Sequence, residues 1–483
     1  MKNNLGSLNN LKNGAHIHMM GICGTAMSSL AGLLVDCGFK VTGSDSNPYP
    51  PMSTQIEKLG IKIQKPYSVK NLSPKPDFII VGNVISAKNE EAMGMMESQI
   101  PHCSLPQAMG EFIIGDRNSY VISGTHGKTT TTSMVSWILD HAGFNPGFLI
   151  GGIPKNFDQS FRSPLENINT NSFVIEGDEY DTAYFDKVPK FIHYRPQQVI
   201  LTSVEFDHAD IYKDLDDVKS SFVKLMKLIP ESGHFLFWGD HENVQDVAQS
   251  CLIKNKYSFG FNQTNNFVVK IIHETESTTS FVILKSEQEL FNINISQIGK
   301  YNVLNAAAAA CMTYLNNVPK KLITSALESF LGVRRRQEIL GVFGGVTVIE
   351  DFAHHPTAVH QTIEAVQAKY KNQKVFSVFE PRSATSRRKI FQKEYLNAFL
   401  KAQEALIAKA FDQSSLKDDD KFSTADLVEE LKQKACVANE FSTVDDIVTY
   451  LVKNSNKNDV ILIMSNGGFD GIYDKLKAGL SNK

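Results

Sequence analysis

Residues Ser123-Gly-Thr-His-Gly-Lys-Thr-Thr-Thr-Thr132 read SGTHGKTTTT. They follow an apolar run, Tyr120-Val-Ile122, and lead into a helical stretch, Thr130–Ala142, that stops at Gly143. Glycine, lysine and hydroxyl residues between a strand and a helix form a loop whose backbone N–H groups cradle phosphate oxygens. Gly124, Thr125, His126 and Gly127 would build that loop. Lys128 would reach the β- and γ-phosphates of ATP, and Thr129 or Thr130 would hold Mg²⁺. The loop is shorter than the general GxxxxGK[ST] form, because Ile122 stands where the first glycine is expected. The alternative is an ordinary strand–helix turn with an exposed lysine. The coincidence of strand, glycines, lysine and hydroxyls favours the phosphate loop.

Strands and helices alternate outward from this point. Upstream, the strand His16–Met20 leads through Gly21-Ile-Cys-Gly-Thr25 into a helix from Ala26 to about Cys37. Strands follow at Phe39–Val41 and Asp77–Val81. Downstream, Ser172–Glu176 and Gln198–Thr202 read as strands and Ala306–Ala310 as part of a helix. Beyond Arg334, strands at Val346–Ile349, Val375–Phe379 and Val460–Met464 alternate with helices near 357–370, 390–403 and 444–453. This pattern predicts an α/β protein with parallel sheets in three units. A flexible tail over 1–14 precedes a Rossmann-like domain (15–116), a P-loop ATPase-type central domain (117–333) and a Rossmann-like C-terminal domain (334–483). A chain of 483 residues is long enough to need several cores.

A net charge of −3 gives no bulk attraction to nucleic acid or to an anionic membrane. The six cysteines are dispersed without a CxxC pair, which fits free thiols better than disulfides or zinc. The Asn-rich start lacks the apolar core of a signal peptide. No apolar run reaches the roughly 20 residues that span a bilayer. A cytoplasmic location is expected.

Several acidic and basic residues fall at strand ends. Parallel strands deliver Glu176 and Asp207-His208 to one carboxyl edge, where open α/β sheets bind ligands. Glu176 is a natural oxygen ligand for Mg²⁺. His208 is either a further ligand or a residue that orders its loop. Gly21, Gly24 and the downstream Asp45 resemble a dinucleotide fingerprint without its full spacing; a tight turn with no ligand fits equally well. Cys23 reads as a backbone contributor, since no basic partner is evident. Glu350-Asp351-Phe-Ala-His-His-Pro356 suits nucleotide or substrate contacts, although Asp351 could serve only to cap the following helix. Arg382 could grip a carboxylate bidentately. Ser465-Asn-Gly-Gly-Phe469 ends a strand and could be only a turn. Arg334-Arg-Arg336 is either a solvated surface or, at a domain junction, a phosphate contact.

These motifs together resemble the Mur ligase family, three-domain enzymes of bacterial cell-wall synthesis. The resemblance rests on GTHGKTTTT, Glu176-Gly-Asp-Glu179, Asp207-His208-Ala-Asp210, Asn302 and Asn305 in YNVLNAAAAA, Arg335-Arg336 and DFAHHP, over nearly the whole chain. HIHMMGICGTAM, VGNVISAKNE, FEPRS and MSNGGFDG further resemble a peptide-recycling branch of the family. That implies ATP-dependent joining of L-alanyl-γ-D-glutamyl-meso-diaminopimelate to UDP-N-acetylmuramate through an acyl phosphate. It implies catalytic roles for Lys128, Glu176, His208, Arg336 and His354. Asn302 would contact adenine, Arg336 the phosphates and Asp351 the ribose. Mg²⁺ would sit on Thr129, Thr130, Glu176 and His208. Gly21, Ile22, Cys23, Gly24, Thr25 and Asp45 would hold the UDP-sugar, and His354, Arg382, Ser465 and Asn466 the peptide. No obligate protein partner is implied.

The sequence departs from the family pattern in places. Tyr301-Asn302 replaces His-Asn, Gln337 replaces an aromatic, and Phe222-Val223 stands about where other branches carry a carbamylated lysine. The nearest alternative is the branch that adds L-alanine. A nicotinamide-dependent oxidoreductase built on Gly21–Asp45 is more remote, since it leaves SGTHGKTTTT and DHADIY unexplained.

Overall fold

The computed structural model describes residues 11–48, 52–164 and 171–482. Most of the expected N-terminal tail, residues 1–10, lies outside this range. Three sheets carry the fold. The first has five parallel strands in the order Ile63–Gln64, Lys40–Ser44, His16–Met20, Phe78–Val81, His102–Ser104. The third has six strands, in the order Glu338–Phe343, Val346–Asp351, Val460–Met464, Val375–Phe379, Glu404–Ala408, Ala438–Phe441. All of its pairs are parallel except the first, where Glu338–Phe343 runs antiparallel.

The central sheet differs from the all-parallel expectation. Its ten strands are parallel from Phe267–Glu274 through Lys256–Gly260, His234–Trp238, Gln198–Leu201, Asn118–Ser123 and Ser172–Gly177 to Gly147–Leu149. Both edges are antiparallel: Phe161–Arg162 closes one, and a meander of Phe267–Glu274, Thr279–Lys285 and Gln288–Ile295 closes the other. The meander has local causes. Gln288–Ile295 alternates buried and exposed side chains, as a strand with one wet face does. The turn before it places Ser286 and Glu287 at φ +50° and +65°, the left-handed pair that matches a two-residue hairpin.

Helix Lys128–His141 explains how so polar a sequence is buried. Thr132, Ser133 and Ser136 donate to the carbonyls of Lys128, Thr129 and Thr132 at 2.7–2.8 Å. Its neighbour Lys300–Leu315 buries Ala306–Ala310 completely, and small side chains let the two helices approach closely. The first two units share one core, which runs from Ile17 and Leu30 through Val121 to Phe222. Phe222, at the position expected for a modified lysine in other branches, is fully buried in it. Among the described residues, no helix is long and apolar enough to cross a membrane.

Candidate active site

The strand Asn118–Ser123 delivers the loop, and the helix starts at Lys128, two residues earlier than its pattern suggests. Gly127 sits at φ +82°, where an added Cβ would stand 2.6 Å from Asn305 Oδ1. Gly124, at φ +132°, faces Thr202 Oγ1 at 2.3 Å in the same sense. Only glycine meets both demands. The expected cradle is narrower than the whole loop, because the Thr125 and His126 N–H groups are already bound to Ser203 O (3.0 Å) and Oγ (2.8 Å). Thr131 N–H makes the first bond back to Gly127 O. The N–H groups just ahead of it have no intrahelical acceptor, and they remain for an anion.

Charged groups converge on this helix start. Lys128 Nζ lies 3.1 and 3.3 Å from the two oxygens of the buried Glu179. Glu179 Oε1 is also 3.2 Å from His208 Nε2. Burial opposes the charge on Lys128, but Glu179 and then Asp178 hold its pKa above the ordinary lysine value. Burial likewise opposes ionisation of Glu179, and Lys128 and His208 hold its pKa down. Glu179 lies within the quoted Glu176-Gly-Asp-Glu179 motif but carried no role in the sequence reading. Its signal was a third carboxylate in the motif, three residues beyond Glu176. His208 sits at φ +55° under the Tyr180 ring, with centroids 4.0 Å apart.

Glu176 Oε2 accepts from Thr129 Oγ1 at 3.1 Å, and its Oε1 accepts from the Gly151 N–H at 2.6 Å. Burial raises its pKa despite the Gly151 N–H and the nearby Lys128 and Arg336. A buried carboxylate beside a hydroxyl is an oxygen donor set that suits Mg²⁺. His208 adds a nitrogen that is already engaged with Glu179.

The C-terminal domain closes the cleft. Arg336 NH2 reaches Thr129 Oγ1 at 3.4 Å and its guanidinium lies over Phe352, 4.9 Å from the ring centre. The three consecutive arginines separate: Arg334 is solvent-exposed, Arg335 binds Glu350 at 2.6 Å, and Arg336 enters the cleft. Positive φ at Arg335 (+62°) and Gln337 (+48°) produces this split. Burial keeps the His354 pKa low, so the ring is neutral near pH 7. One cleft of ≈ 350 Å³ is lined by Lys128, Thr129, Thr130, Glu176, His208, Asn302, Arg336, Asp351 and His354.

Other expected residues make contacts of their own. Asp351 lines the cleft, but its oxygens accept from the Gln337 N–H (2.8 Å) and the Ala353 N–H (2.7 Å), so it shapes its own loop. The cap of helix Pro356–Lys369 is His355, whose Nδ1 faces the Thr357 N–H, and not Asp351. Asn302 is buried and donates to Ile298 O at 2.8 Å.

Two predicted groups lie outside the cleft lining. In the first loop, Gly21 and Ile22 N–H donate to Ser44 O, Gly24 N–H to Gly21 O, and Cys23 N–H to Asp45 Oδ2. Asp45 thus fastens the loop, and only Gly24 and Thr25 are exposed. Burial, then Asp45, pushes the Cys23 thiol up to about 11, so it is no nucleophile. Arg382, Ser465 and Asn466 form a separate cluster around Glu380. Ser465 Oγ donates to Glu380 Oε2 at 2.6 Å, Arg382 pairs with Oε1 at 3.4 Å, and Asn466 Oδ1 is buried without a partner.

Comparison with known proteins covers the same three units. The Mur ligase family catalytic-domain model matches residues 16–117, the Mur ligase middle domain 122–313, and the Mur ligase glutamate ligase domain 335–467. The Escherichia coli K12 protein named UDP-N-acetylmuramate–L-alanyl-γ-D-glutamyl-meso-2,6-diaminoheptandioate ligase is 37% identical over 469 residues, 97% of this chain and 98% of that one. A Clostridium botulinum UDP-N-acetylmuramate–L-alanine ligase is 32% identical, with 94% and 95% covered. The crystal structure of a murein peptide ligase from Psychrobacter arcticus aligns with a TM-score of 0.73 at 32% identity, covering 97% of this chain and 99% of that one. The L-alanine ligase of Thermotoga maritima shares the fold, with a TM-score of 0.78 at 21% identity and 97% and 100% covered. With a phosphate loop, a carboxylate-rich strand edge and an arginine from a third domain facing one cleft, the chain belongs to the Mur ligase family of ATP-dependent ligases.

Proposed function

We propose that this protein joins L-alanyl-γ-D-glutamyl-meso-diaminopimelate to UDP-N-acetylmuramate at the expense of ATP, in the cytoplasm, as a step of peptidoglycan recycling. The observation that carries the chemistry is the convergence of Lys128, Glu176 and Arg336 on one helix N-terminus. The named substrates rest on the likeness to the Escherichia coli ligase. The muramic acid carboxylate attacks the γ-phosphorus of ATP, the β–γ P–O bond breaks, and ADP leaves. The tripeptide amine then attacks the acyl carbon. The C–O bond to phosphate breaks, an amide forms, and the amine gives up a proton.

Phosphoryl transfer of this kind needs charge neutralisation and alignment more than a protein nucleophile. Lys128 and the free N–H groups of the helix start bind the phosphates. Arg336 approaches them from the third domain and positions it against the second. Neutral His354 lies beside them and is placed to orient the incoming groups. Thr129, Glu176 and His208 would hold Mg²⁺, which when bound neutralises phosphate charge. Arg382, Ser465 and Asn466 are assigned to the peptide, and the exposed Gly24–Thr25 edge to the sugar nucleotide.

The likeness to L-alanine ligases supports a second reading with the same chemistry and a different amine. Phosphate release with ATP, Mg²⁺ and UDP-N-acetylmuramate separates the two, with Lys128→Ala as the blank. Turnover with the tripeptide and not with L-alanine is the expected result. Turnover with L-alanine alone would move the protein to the other branch.

A further inference from the structure

A second cluster of metal-binding side chains lies beside the phosphate loop. Glu205 follows the strand Gln198–Leu201, His126 belongs to the loop, and His355 caps helix Pro356–Lys369 of the third domain. His126 Nε2 stands 3.4 Å and His355 Nδ1 3.6 Å from Glu205 Oε2. The donor atoms of all three lie within 4.8 Å of one another. His241 Nε2 is 3.8 Å from Glu205 Oε1. Four ligands around Zn²⁺ at bond lengths of about 2.0–2.1 Å are about 3.3–3.4 Å apart along each tetrahedral edge. The two N···O separations to Oε2 approach that edge.

The ring of His355 is preset for a ligand. Its Nε2 is 3.2 Å from the Phe206 carbonyl oxygen, which can only accept, so Nε2 carries the proton. Nδ1 therefore carries the lone pair, which accepts from the Thr357 N–H at 3.3 Å as the helix cap and also faces Glu205 Oε2 at 3.6 Å, so a metal would draw it from the cap. Two electron-rich atoms at that distance are stabilised by a cation between them. A carbonyl behind the far nitrogen is the usual outer support of a metal-ligating histidine. Thr357 Oγ1 donates to Glu205 Oε2 at 2.6 Å and fixes the carboxylate in turn.

We propose that His126, Glu205 and His355, with His241 flanking the other oxygen of Glu205, form a site for a divalent transition metal such as Zn²⁺ at the junction of the central and C-terminal domains. Imidazole-rich donors select Zn²⁺ or Co²⁺, whereas the oxygens of Thr129 and Glu176 suit Mg²⁺. The bound metal would tie the phosphate loop to the His354–His355 loop. The dispersed cysteines argued against zinc, and no spacing motif could reveal donors at positions 126, 205, 241 and 355.

Full-length protein, stripped by chelation and returned to excess Mg²⁺, is titrated with Co²⁺. One equivalent should bind with the visible bands of four-coordinate Co²⁺. X-ray absorption at the cobalt edge should show at least two imidazoles, a readout that needs no variant. Glu205→Gln and His355→Gln should weaken binding at least about 10-fold, while His208→Gln leaves it unchanged. No Co²⁺ site under these conditions would overturn the proposal. So would a site with one imidazole or none, or binding that survives in folded His355→Gln and disappears in His208→Gln.

Discussion

Lys128 is held by Glu179, whose Oε2 lies 3.1 Å from its ammonium nitrogen, while the other carboxylate oxygen meets His208. The lysine proposed to bind phosphate is thus paired before any nucleotide arrives, and the pair links the helix start to the end of the strand Ser172–Gly177. Removing one partner of a buried pair costs about 3–5 kcal/mol. Glu179→Gln is expected to lower the thermal unfolding midpoint of the central domain and to lower kcat/KM for ATP. Calorimetry and phosphate release check this; an unchanged midpoint with unchanged kcat/KM would show that the pair is incidental.

Gly127 is a second sensitive position. A side chain there adopts a left-handed conformation that costs about 1–2 kcal/mol and collides with Asn305 Oδ1. Gly127→Ala should weaken ATP binding at least about 10-fold, as read by titration calorimetry. Wild-type affinity in this variant would mean that the helix start is not the phosphate site.

Arg335 ties the C-terminal loops together, donating to Glu350 at 2.6 Å, to Ser465 O at 3.1 Å and to Gly467 O at 2.6 Å. Arg335→Ala releases the loop that carries Ser465 and Asn466. The KM for the tripeptide should rise by about 10-fold or more, with ATP binding much less affected, since each lost hydrogen bond of a charged donor costs about 1.5–3 kcal/mol. Separate kcat and KM values test it. An unchanged peptide KM would remove this loop from the peptide site.

In metal-free protein, His355 sets an acid limit. Burial, then the charge of His126, lowers its pKa from 6.5 to about 4. Between those values the unfolded chain binds more protons, so stability rises with pH there and is lost as pH falls from 6.5 toward 4. His208, raised by Glu179 against burial, has the opposite sign, its contribution being lost as pH rises through its folded pKa. The comparison is therefore wild type against His355→Gln. The variant should lack a slope approaching about 1.4 kcal/mol per pH unit in that window. Parallel melting curves for both proteins from pH 6.5 to 4 would refute the assignment.

The sequence made the parallel strands legible where strand, glycine loop and helix follow within a few residues, as at His16–Asp36 and Tyr120–His141. There the hydrophobic period and the turn residues encode the unit locally. The antiparallel meander at Phe267–Ile295 was missed, because its pairing depends on which edge of a finished sheet is open. The loop Gly21–Thr25 shows the limit of a motif: its glycines were visible, but not that its amides bond to Ser44 and Asp45.

What the sequence determined by itself was chemistry type: Lys128, Glu176, His208, Arg336 and His354 can neutralise and orient phosphates wherever strand ends deliver them. What only the tertiary structure decided was partnership. Glu179 became the partner of Lys128, Asp351 turned inward to its own loop, and His126, Glu205 and His355 met across a domain junction. Side chains separated by scores of residues meet only when sheets and helices pack, and the distances that set charge, proton position and metal affinity come from that packing.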